Sequence, residues 1–365
     1  MASNLHGLAA AGVSIWSDQI SRAMLETGEL ARRVEADAVS GVTSNPTIFA
    51  NAILGSKDYD DQLESLRDAG KSPEEIIQAL MKEDLIRACD VLLPVFEATD
   101  GTDGFVSVEV SPEHASDTKA TIDEARYWVT AVARPNLLVK VPATREGVPA
   151  IRALTAEGIS VNVTLIFSLD RYDEVMDAYL GGLEDLVADG GHPREVFSVA
   201  SFFVSRFDTE VDKRLEAIGT DEARSLLGKT AVANARVAYG LYLERFASEQ
   251  FEALASKGAR RQKPLWASTS TKNPAYSDLL YVENLVAPGT VNTMPLETID
   301  AYQDHGDPEP EPFTDDDIAA ARADLDRMAE LGISYQDVVD TLEREGVEKF
   351  TKSWSELIAS VPPER

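Results

Sequence analysis

The sequence predicts an α/β protein built on a closed barrel of eight parallel strands. Three observations point there. Short, β-rich apolar runs alternate with longer amphipathic stretches, eight such runs can be read, and several carry polar residues on one face near their ends. Alternation of this kind argues for parallel strands joined by crossover helices. Eight units in a chain of 365 residues argue for a (β/α)8 TIM barrel with additional helices rather than an open sheet.

The runs lie at 13–18, 41–45, 105–110, 137–143, 159–167, 197–203, 264–269 and 290–295. The intervals before the third and seventh are long and predict extra helices. One barrel domain over 1–365 is expected, with extra helical segments at about 57–100, 207–260 and 314–361. Ser72-Pro73-Glu74-Glu75 reads as a capping box with Pro at the first helical position. It opens a stretch with Ile76, Ile77, Leu80, Met81 and Leu85 at helical spacing. The acidic, Pro-containing segment 304–313 reads as a loop. Thr314 and Asp317 then cap a helix that ends near Gly332, and the last fifty or so residues are expected to pack as helices outside the barrel.

Composition narrows the function. Apolar residues make up 44% of the chain, ample for a large core. No run is long and apolar enough for a bilayer span, and residues 1–14 lack the Lys or Arg of a secretory signal. The single Cys89 cannot form an intramolecular disulfide, so a reducing cytoplasm is the expected compartment. Asp and Glu outnumber Lys and Arg by 63 to 34, a formal charge of −29. Such a field repels nucleic acid. An anionic substrate would have to be held by a few local cations.

A parallel strand buried on both faces should be almost continuously apolar. Here the exceptions are ordered. Lys140 alternates with Val139 and Val141, Asn162 and Thr164 alternate with Val161, Val163 and Leu165, and Ser107 and Glu109 alternate with Val106, Val108 and Val110. Residues two apart share a face, so the polar set should line the barrel interior. Asp18, Asn45, Glu109 and Ser201 also fall late in their runs, where barrel enzymes build their sites. Closing the sheet would gather Asp18, Asn45, Glu109, Lys140, Asn162, Thr164 and Ser201 around one cavity. A lysine among Leu138, Val139 and Val141 is seldom buried without a role. Desolvation favours a neutral, nucleophilic amine. A buried Lys140–Glu109 ion pair is the structural alternative.

These segments resemble the transaldolase family, particularly its longer bacterial and plant-like branch. The resemblance rests on Ser14-Ile15-Trp16-Ser17-Asp18, Gly41-Val42-Thr43-Ser44-Asn45-Pro46-Thr47, Val106-Ser107-Val108-Glu109-Val110, Leu138-Val139-Lys140-Val141-Pro142-Ala143, Val161-Asn162-Val163-Thr164-Leu165-Ile166-Phe167-Ser168 and Ala200-Ser201-Phe202-Phe203-Val204-Ser205-Arg206, in that order along nearly the whole chain. It implies a pentose phosphate pathway transferase that moves a dihydroxyacetone unit between sugar phosphates without metal or cofactor. Lys140 would form a Schiff base with the ketose, and Asp18 would be the acid–base group. Glu109 and Thr164 would position the exchanged water. Asn45, Asn162, Ser201 and Phe203 would contact the substrate. Arg206 matches the family's phosphate-binding arginine. After the seventh run, where shorter members carry a second arginine, this chain offers Lys272.

Other motifs carry less. Gly228-Lys229-Thr230 resembles the end of a P-loop, but the glycine needed five positions earlier is Ala223. Asn162-Val163-Thr164 is a glycosylation sequon placed inside a strand. His6, His114, His192 and His305 lack metal-ligand spacing, and no Gly-x-Gly-x-x-Gly marks a dinucleotide site. Two rival readings are an aldolase that releases free dihydroxyacetone from fructose 6-phosphate and a non-catalytic sugar-phosphate-binding barrel. Either a monomer or a homodimer is compatible with the sequence.

Overall fold

A computed structural model describes residues 3–361. Its eight strands are β1 (Val13–Ser17), β2 (Val39–Val42), β3 (Phe105–Glu109), β4 (Leu137–Pro142), β5 (Val161–Ile166), β6 (Ser198–Phe203), β7 (Lys263–Ala267) and β8 (Thr290–Met294). They form a closed parallel barrel in chain order, β8 returning to β1. Each strand overlaps its expected run. The largest difference is β2, which starts at Val39 and ends before Asn45. Asn45 instead caps the helix Pro46–Leu54, its side chain accepting a hydrogen bond from Ile48 N at 3.0 Å. Asp18 lies just past β1, and its N–H still reaches Met294 O on β8.

The lower half of the interior is filled by aromatic rings. Phe105, two residues below Ser107, stacks on Phe197 with centroids 4.2 Å apart. Trp16 packs on Phe105 and donates from Nε1 to Asp103 at 2.8 Å. Gly41 on β2 makes room for that indole, because a Cβ there would lie 2.4 Å from the ring. Above the rings the interior turns polar, as the alternation in β3, β4 and β5 requires.

Outside the barrel, Ser72 caps the helix Pro73–Ala98 in the expected box with Glu75. Helices Ser205–Ile218 and Thr230–Arg245 follow β6, and Asp315–Glu330 packs against Thr230–Arg245. The acidic segment is a loop only from Gly306, since the helix Leu296–His305 includes its first two residues. One expectation fails. The last helix, Tyr335–Ser360, does not pack outside the barrel but crosses its C-terminal mouth. Its stripe of Leu342, Gly346, Phe350, Trp354 and Leu357 is buried. Thr47 bonds to Ser353 at 2.8 Å, and Tyr335 Oη accepts from Leu169 N and donates to Asn234 Oδ1. No helix among the described residues is long and apolar enough to cross a membrane.

Gly41→Ala should therefore lower unfolding stability by about 1–3 kcal/mol, the range for overpacking a dense core. Urea denaturation of the two proteins measures this. A change below a few tenths of a kcal/mol would mean that the indole is free to move.

Candidate active site

Lys140 is on β4, directly opposite Glu109 on β3 and Asn162 on β5 in the ladder. It is 5% exposed and Glu109 6%. The ammonium lies 3.0 Å from Glu109 Oε2 and donates to Ser44 O at 3.2 Å. The ion pair that the sequence left as an alternative is thus formed. Burial raises the Glu109 pKa above the ordinary carboxylate value, opposed by the charges of Lys140 and, more weakly, Arg206.

Ser201 Oγ donates to Asn162 Oδ1 at 2.7 Å, and Asn162 Nδ2 donates to Ser107 Oγ at 2.9 Å. This chain ties β6, β5 and β3 together across the barrel. Thr164 stands one pleat above Asn162, its hydroxyl buried and without a hydrogen-bond partner among the described residues. Next to it, Leu165 has φ +59°, where β5 loses register with β6. A left-handed non-glycine residue costs about 1–3 kcal/mol and tends to mark functional sites. Ser268, just past β7, shares this conformation at φ +57°. Both lie at the same mouth.

Above Lys140 opens a cavity of about 680 Å³. Among the expected residues, Asp18, Asn45, Lys140, Phe203, Arg206 and Lys272 line it. Glu109, Asn162, Thr164 and Ser201 do not, and all four are buried. Sequence reasoning missed Thr43 and Thr293, whose hydroxyls are 2.7 Å apart, and Ser205 and Ser268, 2.9 Å apart. It also missed the face of Tyr335–Ser360 that includes Gly346 and Lys349. A glycine inside a long helix was the available signal, because it costs about 1 kcal/mol relative to Ala.

Asp18 has its pKa raised to about 6, first by burial and then by Glu297, with Lys140 and Lys272 opposing. Arg206, in the first turn of Ser205–Ile218, sits 4.8 Å from the Phe203 ring and makes no ion pair among the described residues. Burial lowers its pKa, and Glu109 partly offsets this. Lys272 rides on the loop after β7. That loop is tied to the Arg206 helix by Tyr276, which donates to Asp212 at 2.7 Å, and the short helix Leu280–Asn284 after it by Tyr281, which donates to Asp208 at 3.0 Å. Gly228 and Thr230, which end the P-loop-like string, serve the same carboxylates as donors. Among the described residues no three His, Cys, Asp or Glu side chains are placed to hold a metal.

A second cavity, of about 660 Å³, lies at the opposite end of the barrel against Phe105 and Phe197. Its Arg134 and Arg194 are already paired, with Asp90 and Asp100. The C-terminal mouth instead joins a buried lysine, a carboxylate of raised pKa, and Arg206, Lys272 and Lys349, which make no ion pair among the described residues.

The sequence matches the family described as Transaldolase/Fructose-6-phosphate aldolase over residues 15–361. It is similar to the transaldolase of Acidothermus cellulolyticus, 57% identical over 99% of this chain and 96% of that protein. It is 55% identical to the transaldolase of Thermobifida fusca, covering 99% and 98% of the two chains. With that of Mycolicibacterium smegmatis it shares 52% identity, covering 97% and 95%. The chain belongs to the transaldolase family. It is an enzyme of that family, and its fold is a closed barrel of eight parallel strands.

Asp18 tests the electrostatics of this mouth. Its folded pKa lies above its unfolded value, so its contribution to stability is complete below about pH 4 and is lost as pH rises through 6. Asp18→Asn should therefore be more stable than the native enzyme at pH 8, by up to about 3 kcal/mol at 1.36 kcal/mol per pKa unit. The advantage should vanish near pH 4. Denaturation curves across this range that stay parallel would show that Asp18 is solvated.

Proposed function

We propose that the enzyme transfers dihydroxyacetone from sedoheptulose 7-phosphate or fructose 6-phosphate to glyceraldehyde 3-phosphate or erythrose 4-phosphate through a Schiff base on Lys140. The observation that carries this reading is a lysine amine held in the barrel interior against a carboxylate, at the base of a cavity with Arg206 and Lys272 at its mouth, neither in an ion pair among the described residues.

An amine must lose its proton before it can attack a carbonyl. Glu109, 3.0 Å away and with a raised pKa, is placed to take it. The free amine adds to C2 of the ketose. The hydroxyl of the carbinolamine then takes a proton from Glu109 and leaves as water, giving the iminium. The Thr164 hydroxyl, free of other partners, is suited to hold that water. Asp18, ionised above about pH 6, removes the C4 hydroxyl proton. The C3–C4 bond breaks, its electrons move to the iminium nitrogen, and the aldose phosphate departs. The enamine left on Lys140 attacks the incoming aldehyde, whose oxygen takes the proton back from Asp18. Water then releases the new ketose. The Asn45 amide and the hydroxyls of Thr43 and Thr293 line the cavity where the polyol would lie. Arg206, at the N-terminus of its helix, can grip phosphate through two hydrogen bonds, and Lys272 adds a point charge. A dihydroxyacetone-releasing aldolase would share this machinery. Comparing free dihydroxyacetone with transfer to glyceraldehyde 3-phosphate separates the two.

Borohydride added with fructose 6-phosphate should leave a reduced three-carbon unit on Lys140, located by peptide mass mapping. Label on another lysine, or undiminished label in Lys140→Ala, would overturn the assignment. Asp18→Ala should still be trapped by borohydride, while turnover falls about 10²–10⁴-fold, the usual contribution of an acid–base group. In the native enzyme kcat/KM should decline as pH falls through about 6. Turnover of the variant within a few-fold of native would remove Asp18 from the mechanism.

A further inference from the structure

The helix Tyr335–Ser360 is drawn onto the mouth at one point. A Cβ on Gly346 would lie 3.0 Å from Leu165 Cδ2 and 3.7 Å from Arg206 Nη1. Any larger side chain would stand between the helix and the arginine. Phe350, one turn on, is buried with its ring 5.8 Å from the Arg206 guanidinium and 6.0 Å from Lys140 Nζ. Residues three and four apart share a helix face, so Gly346 also brings Lys349 to this rim, where it lines the cavity with Arg206 and Lys272.

Lys349 makes no ion pair or hydrogen bond among the described residues, nor does Arg206, and Lys272 bonds only to Ser270 Oγ. In a chain with 63 acidic and 34 basic residues, most cations can find a carboxylate. Glu210, Glu345 and Glu348 line the same cavity, yet none pairs with these three among the described residues, and the three cations repel each other. Partial burial and the charges of Arg206 and Lys272 hold the Lys349 pKa below the ordinary lysine value. An arrangement of this kind is relieved by an anion bound among the three.

We infer that Lys349 is a third phosphate ligand, so that the roof helix itself reads the phosphate of the substrate and completes a site that Arg206 and Lys272 leave open on one side. The inference rests on the phosphate assignment proposed above. It also gives the close approach at Gly346 a purpose, since the helix must sit low for a lysine on its rim to reach the phosphate.

Steady-state kinetics with fructose 6-phosphate as donor, and inhibition by inorganic phosphate, test this in the full-length enzyme. Lys349→Met keeps most of the aliphatic stem and removes the charge. It should raise KM for fructose 6-phosphate and the inhibition constant of phosphate by the same five- to tenfold, the loss falling on KM rather than kcat. Lys349→Arg should return both to within about threefold of native. Unchanged KM and inhibition constant in Lys349→Met, or a fall in kcat alone, would overturn the role. Arg206→Met, measured alongside, separates the two levels. If only Arg206→Met raises KM, Lys349 is a bystander and the phosphate assignment stands. If neither variant does, the assignment itself fails.

Discussion

Everything at this mouth depends on holding a lysine inside a hydrophobic barrel. An isolated ammonium there would be costly, and removing one partner from a buried pair usually costs about 3–5 kcal/mol because the other charge is left uncompensated. Glu109 on the neighbouring strand meets that need, and the Ser44 carbonyl adds a second contact. The register of β3 on β4 places the two residues side by side. The pair therefore constrains strand alignment as well as chemistry. Beside the pair, the hydrogen-bonded chain from Ser201 through Asn162 to Ser107 satisfies those side chains without entering the open cavity.

Charge is distributed just as unevenly outside the pair. The molecule carries −29 overall, yet Arg206, Lys272 and Lys349 at its mouth make no ion pair among the described residues. A surface that repels anions at long range gives no steering, so recognition must be local and short-ranged. The loop with Lys272 and the helix with Arg206 could drift apart under mutual repulsion. Tyr276 and Tyr281 oppose this by bonding that segment to Asp212 and Asp208. Asp208 accepts three hydrogen bonds, which offset the cost of burying it at a pKa raised to about 6.

Of the five left-handed non-glycine residues among the described residues, Ala38, Asp100 and Ala133 lie in connections before β2, β3 and β4, and two reach the mouth. Leu165 and Ser268 adopt this conformation at the ends of β5 and β7, under or beside the roof helix. Leu165 turns its side chain up to Gly346, while Ser268 O accepts from Ser205 N and so links the β7 loop to the start of the Arg206 helix. In both cases tertiary packing holds a conformation that the local sequence does not favour.

The eight strands were legible because a parallel barrel imposes two strong patterns, apolar runs at crossover intervals and alternation of faces within each run. Lys140, Glu109, Asn162 and Thr164 stood out because they violate the first pattern while obeying the second. Helix caps such as Ser72 and Thr314 were readable because they depend on residues three apart in the chain. The path of Tyr335–Ser360 was not readable. An amphipathic helix shows that it has a buried face but not what covers it, and the same stripe would serve on the outside of the barrel. Nor could the sequence separate residues that line the cavity from those sealed beneath it, since strand alternation gives a side chain's face and not its height. The sequence by itself determined the barrel, its polar interior and the lysine at its centre. Only the tertiary structure decided that Lys140 is paired with Glu109 and that a distant helix brings Lys349 to the mouth, because both facts rest on contacts between segments that local pattern does not link.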